Sequence, residues 1–238
     1  MQINQDAGLS ALIRGEAQRL CGGFAFTEGP VWVAADDCLL FTDIPNSTIH
    51  RWRPGSEAAE VYRAPSGHAN GLTLDRDGNL LACEHSGRRV SVTTYRGVEV
   101  RAIDRFEGQR FNSPNDVVVD ASGAIWFTDP TYGLTMPSMG EPGAQKEIDV
   151  QGVYRIAPDG VLTCVTREFS QPNGLVFTPD ERRLYIGDSH DKIIRRYLVG
   201  DDGTLDAGEL FVDMRKADGP GAPDGMAVDE AGRLWTTG

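Results

Sequence analysis

Five oxygen-bearing side chains return along the chain at one place in a short repeated phrase. Glu28 opens Glu28-Gly29-Pro30-Val31-Trp32, Asn70 opens Asn70-Gly71-Leu72-Thr73-Leu74, and Asn115 opens Asn115-Asp116-Val117-Val118-Val119. Asn173 opens Asn173-Gly174-Leu175-Val176-Phe177, and Asp224 opens Asp224-Gly225-Met226-Ala227-Val228. Two carboxylates and three carboxamides brought to one point form a hard, oxygen-only donor set with net negative charge. That composition suits Ca²⁺, which accepts many oxygens in irregular geometry. No His or Cys stands at any of the five positions, so Zn²⁺ is the weaker expectation. Zn²⁺, Mn²⁺ and Mg²⁺ stay open as alternatives. Asn-Gly and Asp-Gly are also plain turn dipeptides. A turn role, however, does not favour Glu at 28, and all five phrases lead into an apolar run instead of joining two.

The elements that must position these residues follow the same repeat. Each phrase continues as a short apolar run, a polar turn and a second apolar run: Leu39 to Thr42, Leu80 to Cys83, Ile125 to Thr128, Leu184 to Gly187 and Leu234 to Thr237. Units recurring at roughly 40–50 residues with strand punctuation predict a β-propeller with each phrase opening an innermost strand. The fold class is therefore all-β, a single domain over 1–238. Blade one is expected from Phe24 to about Val61. Blade two starts at Leu72, blade three at Asn115, blade four at Asn173, and a fifth at Asp224. The fifth anchor is followed by enough chain for two strands, giving about four and a half blades; a toroid left there has open edges, and a full-length relative is expected to carry roughly 60 residues more. Residues 1–21 form an N-terminal extension in which Ala11, Leu12, Ile13, Ala17 and Leu20 suggest a short helix. Tyr132 to Val150 is a long insertion in blade three, rich in Gly, Pro and Met, and is expected to be a lid or a disordered loop. Trp32, Trp126 and Trp235 suit packing between blades.

Composition narrows the function classes. Acidic residues outnumber basic ones, 35 to 23, and no Lys/Arg stripe is offered to phosphates, which argues against nucleic acid. No apolar run is long enough to span a bilayer, and Met1 to Leu20 lacks the layout of a secretory signal. Cys21, Cys38, Cys83 and Cys164 lie far apart with no CxxC pair, as expected of reduced thiols in the cytoplasm. No GxGxxG or GxSxG is present. Asp75-Arg76-Asp77-Gly78-Asn79 lacks the later acids of an EF-hand and reads as a hairpin turn. None of His50, His68, His85 and His190 is favoured as a catalytic base.

Four phrases in order, Thr27-Glu28-Gly29-Pro30-Val31-Trp32, Ser113-Pro114-Asn115-Asp116-Val117, Gln171-Pro172-Asn173-Gly174-Leu175 and Pro223-Asp224-Gly225-Met226, resemble the regucalcin/gluconolactonase, or senescence-marker-protein, family. That family is related to diisopropylfluorophosphatase, and the resemblance runs from about Gly22 to Gly238. It implies a six-bladed propeller of the lactonase type with one divalent metal on its axis. It implies metal ligation by Glu28, Asn173 and Asp224, with Asn115 added in some members, and Asp224 as the general base. Asn70 has the weakest support and is left to the pocket wall or a water-mediated contact. The family's Arg-Phe-Asn phrase corresponds to Arg110-Phe111-Asn112, so Arg110, Asn112 and Asn115, with Tyr132, are candidates for substrate contact. An Arg there could hold hydroxyls or a carboxylate through its donor fork. The expected reaction is hydrolysis of a small-molecule sugar lactone, with a cation polarising the carbonyl and activated water attacking it. A phosphotriesterase-like hydrolase on the same axial metal and a non-catalytic calcium-binding propeller are the alternatives. No nucleic acid or membrane partner is expected, and the protein is expected to be a monomer or weak homo-oligomer.

Overall fold

The computed structural model describes residues 8–13, 15–215 and 221–238. Blade one consists of β1 (Thr27–Val33), β2 (Cys38–Asp43), β3 (Thr48–Trp52) and β4 (Glu60–Arg63). Blade two consists of β5 (Ala69–Leu74), β6 (Leu80–Glu84), β7 (Arg89–Thr93) and β8 (Glu99–Ile103), followed by a two-stranded ribbon of β9 (Arg105–Phe106) and β10 (Gln109–Arg110). Blade three has β11 (Val117–Val119) and β12 (Ile125–Thr128), then the short helix α1 (Tyr132–Thr135), then β13 (Gln151–Ile156) and β14 (Leu162–Phe169). Blade four has β15 (Pro172–Phe177), β16 (Arg183–Asp188), β17 (Ile193–Leu198) and β18 (Glu209–Asp213); β19 (Met226–Val228) and β20 (Leu234–Thr236) form a further hairpin. Every sheet is an antiparallel meander in chain order. The innermost strands follow one another around an axis, β1 beside β5, β5 beside β11, β11 beside β15, and β15 beside β19. The molecule is thus an all-β propeller.

The second strand of each blade explains the continuous apolar runs. Along a strand, successive side chains point to opposite faces. In β6, Leu80 and Ala82 pack with Val33, Cys38, Leu40 and Ile49 of blade one, while Leu81 and Cys83 pack with Val117, Phe127 and Tyr154 of blade three and with Phe111 in the connection before it. Ala124 and Trp126 likewise pack on Leu175, Leu184, Ile186 and Tyr197 of blade four. A strand sandwiched between two blades has no polar face, so both phases of its alternation are apolar. Of the three Trp residues expected in blade packing, Trp126 is fully buried but Trp32 and Trp235 are 46% and 38% exposed, because β1 and β20 belong to the first and last sheets of the described series.

The hairpin turns share one device. Asp75, Asp120 and Asp229 each accept, through Oδ1, the backbone N–H groups two and four residues on. Such a side chain substitutes for backbone partners and pins the turn. Asp120 and Asp229 also accept the indole N–H of Trp126 and Trp235 through Oδ2, at 2.8 and 3.0 Å. The Asp75 turn is therefore a hairpin device, in line with its sequence.

The N-terminal helix is not formed in the described residues. A single 3-10 turn, Leu9–Ala11, stands there, flanked by Gly8 and Gly15 at φ of +94° and +75°, a left-handed conformation that ends right-handed helices. Residues 1–7 and 14 of that expectation lie outside the described residues. Among the described residues no helix is long and apolar enough to cross a membrane.

The insertion of blade three is an ordered cap. Glu141 N and Gly143 N bond back to Gly133 O and Leu134 O at 2.8 and 2.9 Å. Leu134 and Ile148 are buried. The guanidinium of Arg88, itself buried, reaches Phe111 O at 2.6 Å and Gln145 O at 3.1 Å, joining the cap to the loop that carries Arg110.

Candidate functional site

The repeated phrase places its leading residue by a break in strand pairing. Register shifts occur between Glu28 and Val31 in β1, Ala69 and Leu72 in β5, and Pro172 and Leu175 in β15. An irregularity of this kind re-aims a side chain locally. The glycine that follows is there for space, not for a turn. Only Gly29 has a left-handed φ, +53°. A Cβ at Gly71 would lie 2.7 Å from Asn115 O, and one at Gly174 would collide with Asp224 O. Gly71 and Gly174 thus let the next blade's anchor backbone approach the axis. Further bonds tie the ring together: Gly71 N to Asn115 O at 2.8 Å, Thr42 Oγ1 to Asn70 O at 3.1 Å, and Thr128 Oγ1 to Asn173 O at 2.8 Å.

A second layer holds the entry to each anchor. Asp43 accepts Ala25 N and Phe26 N, Asp129 accepts Asn112 N and Ser113 N, and Asp188 accepts Ser170 N and Gln171 N. The donors stand three and two residues before Glu28, Asn115 and Asn173 respectively. Burial pushes the Asp129 carboxyl up to about 7 against the pull of its two N–H donors. These second-strand acids carry no obvious motif; their signal is the recurrence of Asp directly after Thr42, Thr128 and Gly187.

Glu28, Asn70, Asn115, Asp116, Asn173 and Asp224 line one cavity of about 1010 Å³ on the axis. Four of them were the expected metal ligands, and all four line this cavity. Burial, then the charge of Asp224, pushes Glu28 up to about 7. Burial also raises Asp224, against a hydrogen bond from the Asn173 amide. Asn173 Nδ2 donates to Ser189 Oγ at 2.9 Å as well. Asp116, missed by the sequence reading, occupies the place that glycine holds in the other four phrases. It accepts Leu175 N across the blade boundary at 3.1 Å, and burial pushes it up to about 6. Carboxylates held in one cavity disfavour each other's ionisation, so this donor set fits a bound cation. Among the described residues no three His, Cys, Asp or Glu side chains gather as a metal centre by themselves. A cation here would draw on the amide oxygens too.

The remaining expected residues are placed differently. Arg110, half-buried in β10, reaches Gly87 O at 3.4 Å and donates its backbone N–H to Glu147. Asn112 does not face the cavity: it is fully buried, with Nδ2 donating to Asp129 O and Val150 O. The family resemblance implied substrate contact for Asn112; here its Nδ2 ties the loop to Asp129 O and Val150 O, and its Oδ1 is buried without a partner. The Tyr132 hydroxyl is buried beside Ser189 and Asn173 yet makes no hydrogen bond among the described residues.

The profile of the SMP-30/Gluconolactonase/LRE-like region matches residues 26–238. The chain belongs to that family. It is 35% identical to a gluconolactonase of Zymomonas mobilis over 89% of this chain and 64% of that protein. It is 34% identical to the pentonolactonase XacC of Haloferax volcanii over 88% of this chain and 65% of that protein. The chain thus spans just under two thirds of the length of both relatives. The solved structure of a gluconolactonase from Xanthomonas campestris superposes with a TM-score of 0.82 at 35% identity, covering 90% of this chain and 70% of that one. A calcium-binding regucalcin from Agrobacterium tumefaciens shares the fold, with a TM-score of 0.69 at 22% identity over 90% and 67%.

Proposed function

We propose that this chain carries the site of a divalent-metal-dependent hydrolase that opens sugar lactones. The observation that carries the proposal is the convergence of Glu28, Asn115, Asn173 and Asp224, from four separate blades, on one cavity. The gluconolactonase and pentonolactonase relatives support the substrate class. Glu28, Asn115, Asn173 and Asp224 would hold the cation, with Ca²⁺ the best match to an all-oxygen set. When bound, the cation supplies Lewis acidity to the lactone carbonyl.

The chain's own residues do the rest. Asp224 takes the proton from the attacking water, and burial raises its carboxyl in the direction a general base needs. Cation ligation lowers a carboxylate's pKa and works against that role. The Asn173 amide stands beside Asp224 and is itself held by its Nδ2–H bond to Ser189 Oγ. Tyr132 carries an unpaired hydroxyl buried beside Ser189 and Asn173, a donor for substrate oxygen once it is uncovered. Arg110 supplies a cationic fork at the edge of the cap. Arg88, by gripping Phe111 O and Gln145 O, keeps the Arg110 loop and the cap in one arrangement.

Proton release from glucono-, galactono- and xylono-lactone, with and without chelator, tests the proposal. Turnover that chelator abolishes and Ca²⁺ restores is the expected result. Calcium binding by calorimetry without turnover of any lactone would replace it with the binding-propeller reading, and turnover of a phosphotriester alone with the phosphotriesterase reading.

A further inference from the structure

We infer that His85 is a positioning residue for Asn70, turning the Asn70 carbonyl oxygen into the cavity as an acceptor for a hydroxyl of the substrate. The inference rests on the lactonase reading for the identity of that hydroxyl, and on geometry alone for the orientation of Asn70.

His85 follows β6 and is 1% exposed. The cap covers it so closely that a Cβ at Gly133 would lie 2.8 Å from His85 Cβ. Its Nδ1 stands 2.8 Å from Met139 O, in the cap, and its Nε2 stands 3.4 Å from Asn70 Nδ2. A backbone carbonyl can only accept, so Nδ1 carries a hydrogen. A neutral imidazole has one donor and one acceptor nitrogen, and burial disfavours the cation here. Nε2 is therefore an acceptor, and it must face a donor. Asn70 meets that demand only by presenting Nδ2–H to the ring. The two ends of the amide point apart, so Oδ1 is directed away from His85. Asn70 lines the axial cavity, and among the described residues no hydrogen bond engages Oδ1.

The acceptor-only Met139 carbonyl thus decides, through one imidazole tautomer, which end of Asn70 the cavity receives. With the amide reversed, an acceptor would face an acceptor at His85, and the cavity would present a donor. A polyhydroxylated lactone donates hydrogen bonds from its hydroxyls, and an oxygen at blade two can take one. The cap belongs to this arrangement, because Met139 lies within the insertion of blade three.

The test uses the whole chain and two kinds of readout. The 15N shifts of the His85 ring nitrogens report the tautomer directly, with the proton expected on Nδ1. H85F, which keeps bulk but removes the acceptor, is expected to raise KM for glucono-δ-lactone about tenfold, the loss of roughly one hydrogen bond, with a smaller change in kcat. The same variant is expected to lose less on δ-valerolactone, which has no hydroxyls. H85Q, whose amide can both donate and accept, should restore part of the KM. N70A should match H85F, and the double variant should be no worse than N70A alone, because the two residues act as one unit. A proton on Nε2, an unchanged KM in H85F, or losses that multiply in the double variant would each overturn the inference. If H85F fails to fold, the tautomer and H85Q decide. Should the wild type open no lactone while His85 carries its proton on Nδ1, the lactonase reading and the hydroxyl assignment fall together, and the orientation of Asn70 stands.

Discussion

Replacing Gly174 by Ala should separate stability from activity at the centre of the ring. The new methyl carbon would lie closer than 3.0 Å to Asp224 O, a separation that real Cβ atoms essentially never show. The atom it meets is backbone, so no side-chain rotation relieves the contact. Ordinary contact begins at 3.4 Å, and restoring it moves the Asp224 anchor outward by about 1 Å, with overpacking of this kind costing roughly 1–3 kcal/mol. For a domain of this size that corresponds to a fall in Tm of about 2–12 °C. A misplacement of about 1 Å in a reacting group costs on the order of 100-fold in rate. G174A should therefore lose about two decades of kcat/KM on glucono-δ-lactone while still folding. Gly225, in the same place of the next phrase, is the internal control. A Cβ there meets only Thr237 Oγ1 at 3.5 Å, an ordinary contact, and its φ is not left-handed. G225A should keep Tm within about 2 °C, since substitutions that create no clash cost little. Thermal unfolding and a pH-indicator lactonase assay on the two variants suffice. A G174A protein as stable and active as the wild type, or a G225A protein equally damaged, would refute the claim that these glycines exist for the approach of the next blade.

Other outcomes follow from the same structure. Asp224→Asn should abolish lactone turnover, whereas Glu28→Gln should mainly weaken Ca²⁺ affinity; full activity of both at saturating Ca²⁺ would reject the assignment. Tyr132→Phe removes a buried hydroxyl that has no partner in the free protein, so stability should hold within about 0.5 kcal/mol while KM rises about tenfold; a marked loss of stability with an unchanged KM would show that the hydroxyl serves the fold. Asp229 is held down to about 2, from 3.8, by the N–H groups of Arg233 and Trp235. A depressed carboxylate adds stability above its unfolded pKa and loses it as pH falls through the folded value. The stability gap between wild type and Asp229→Asn should be full above about pH 5 and close by about pH 1; denaturant midpoints across that range check it, and a gap independent of pH would count against it.

Much of the architecture was legible in the chain. Strand positions followed from doubled apolar runs and Asp/Gly turns, because a blade between two neighbours must be apolar on both faces, as Leu80 to Cys83 are. The positions of Glu28, Asn115, Asn173 and Asp224 at the head of each inner strand were readable from the repeat itself. Other features were not, since they depend on which groups face one another across blades. Asn112 reads as a polar residue beside the site, and only its bonds to Asp129 O and Val150 O show that it ties the loop. Asp116 looks like a variant of the phrase, yet its carboxylate reaches the axis because blades three and four meet there. His85 gave no signal at all, since its role arises from a carbonyl 54 residues away. The repeat alone determined that five oxygen donors exist at equivalent places, for a periodic pattern is local information. Their common meeting point, the closeness of the glycines and the direction of the Asn70 amide belong to tertiary structure, because each is a distance between strands that no single blade contains.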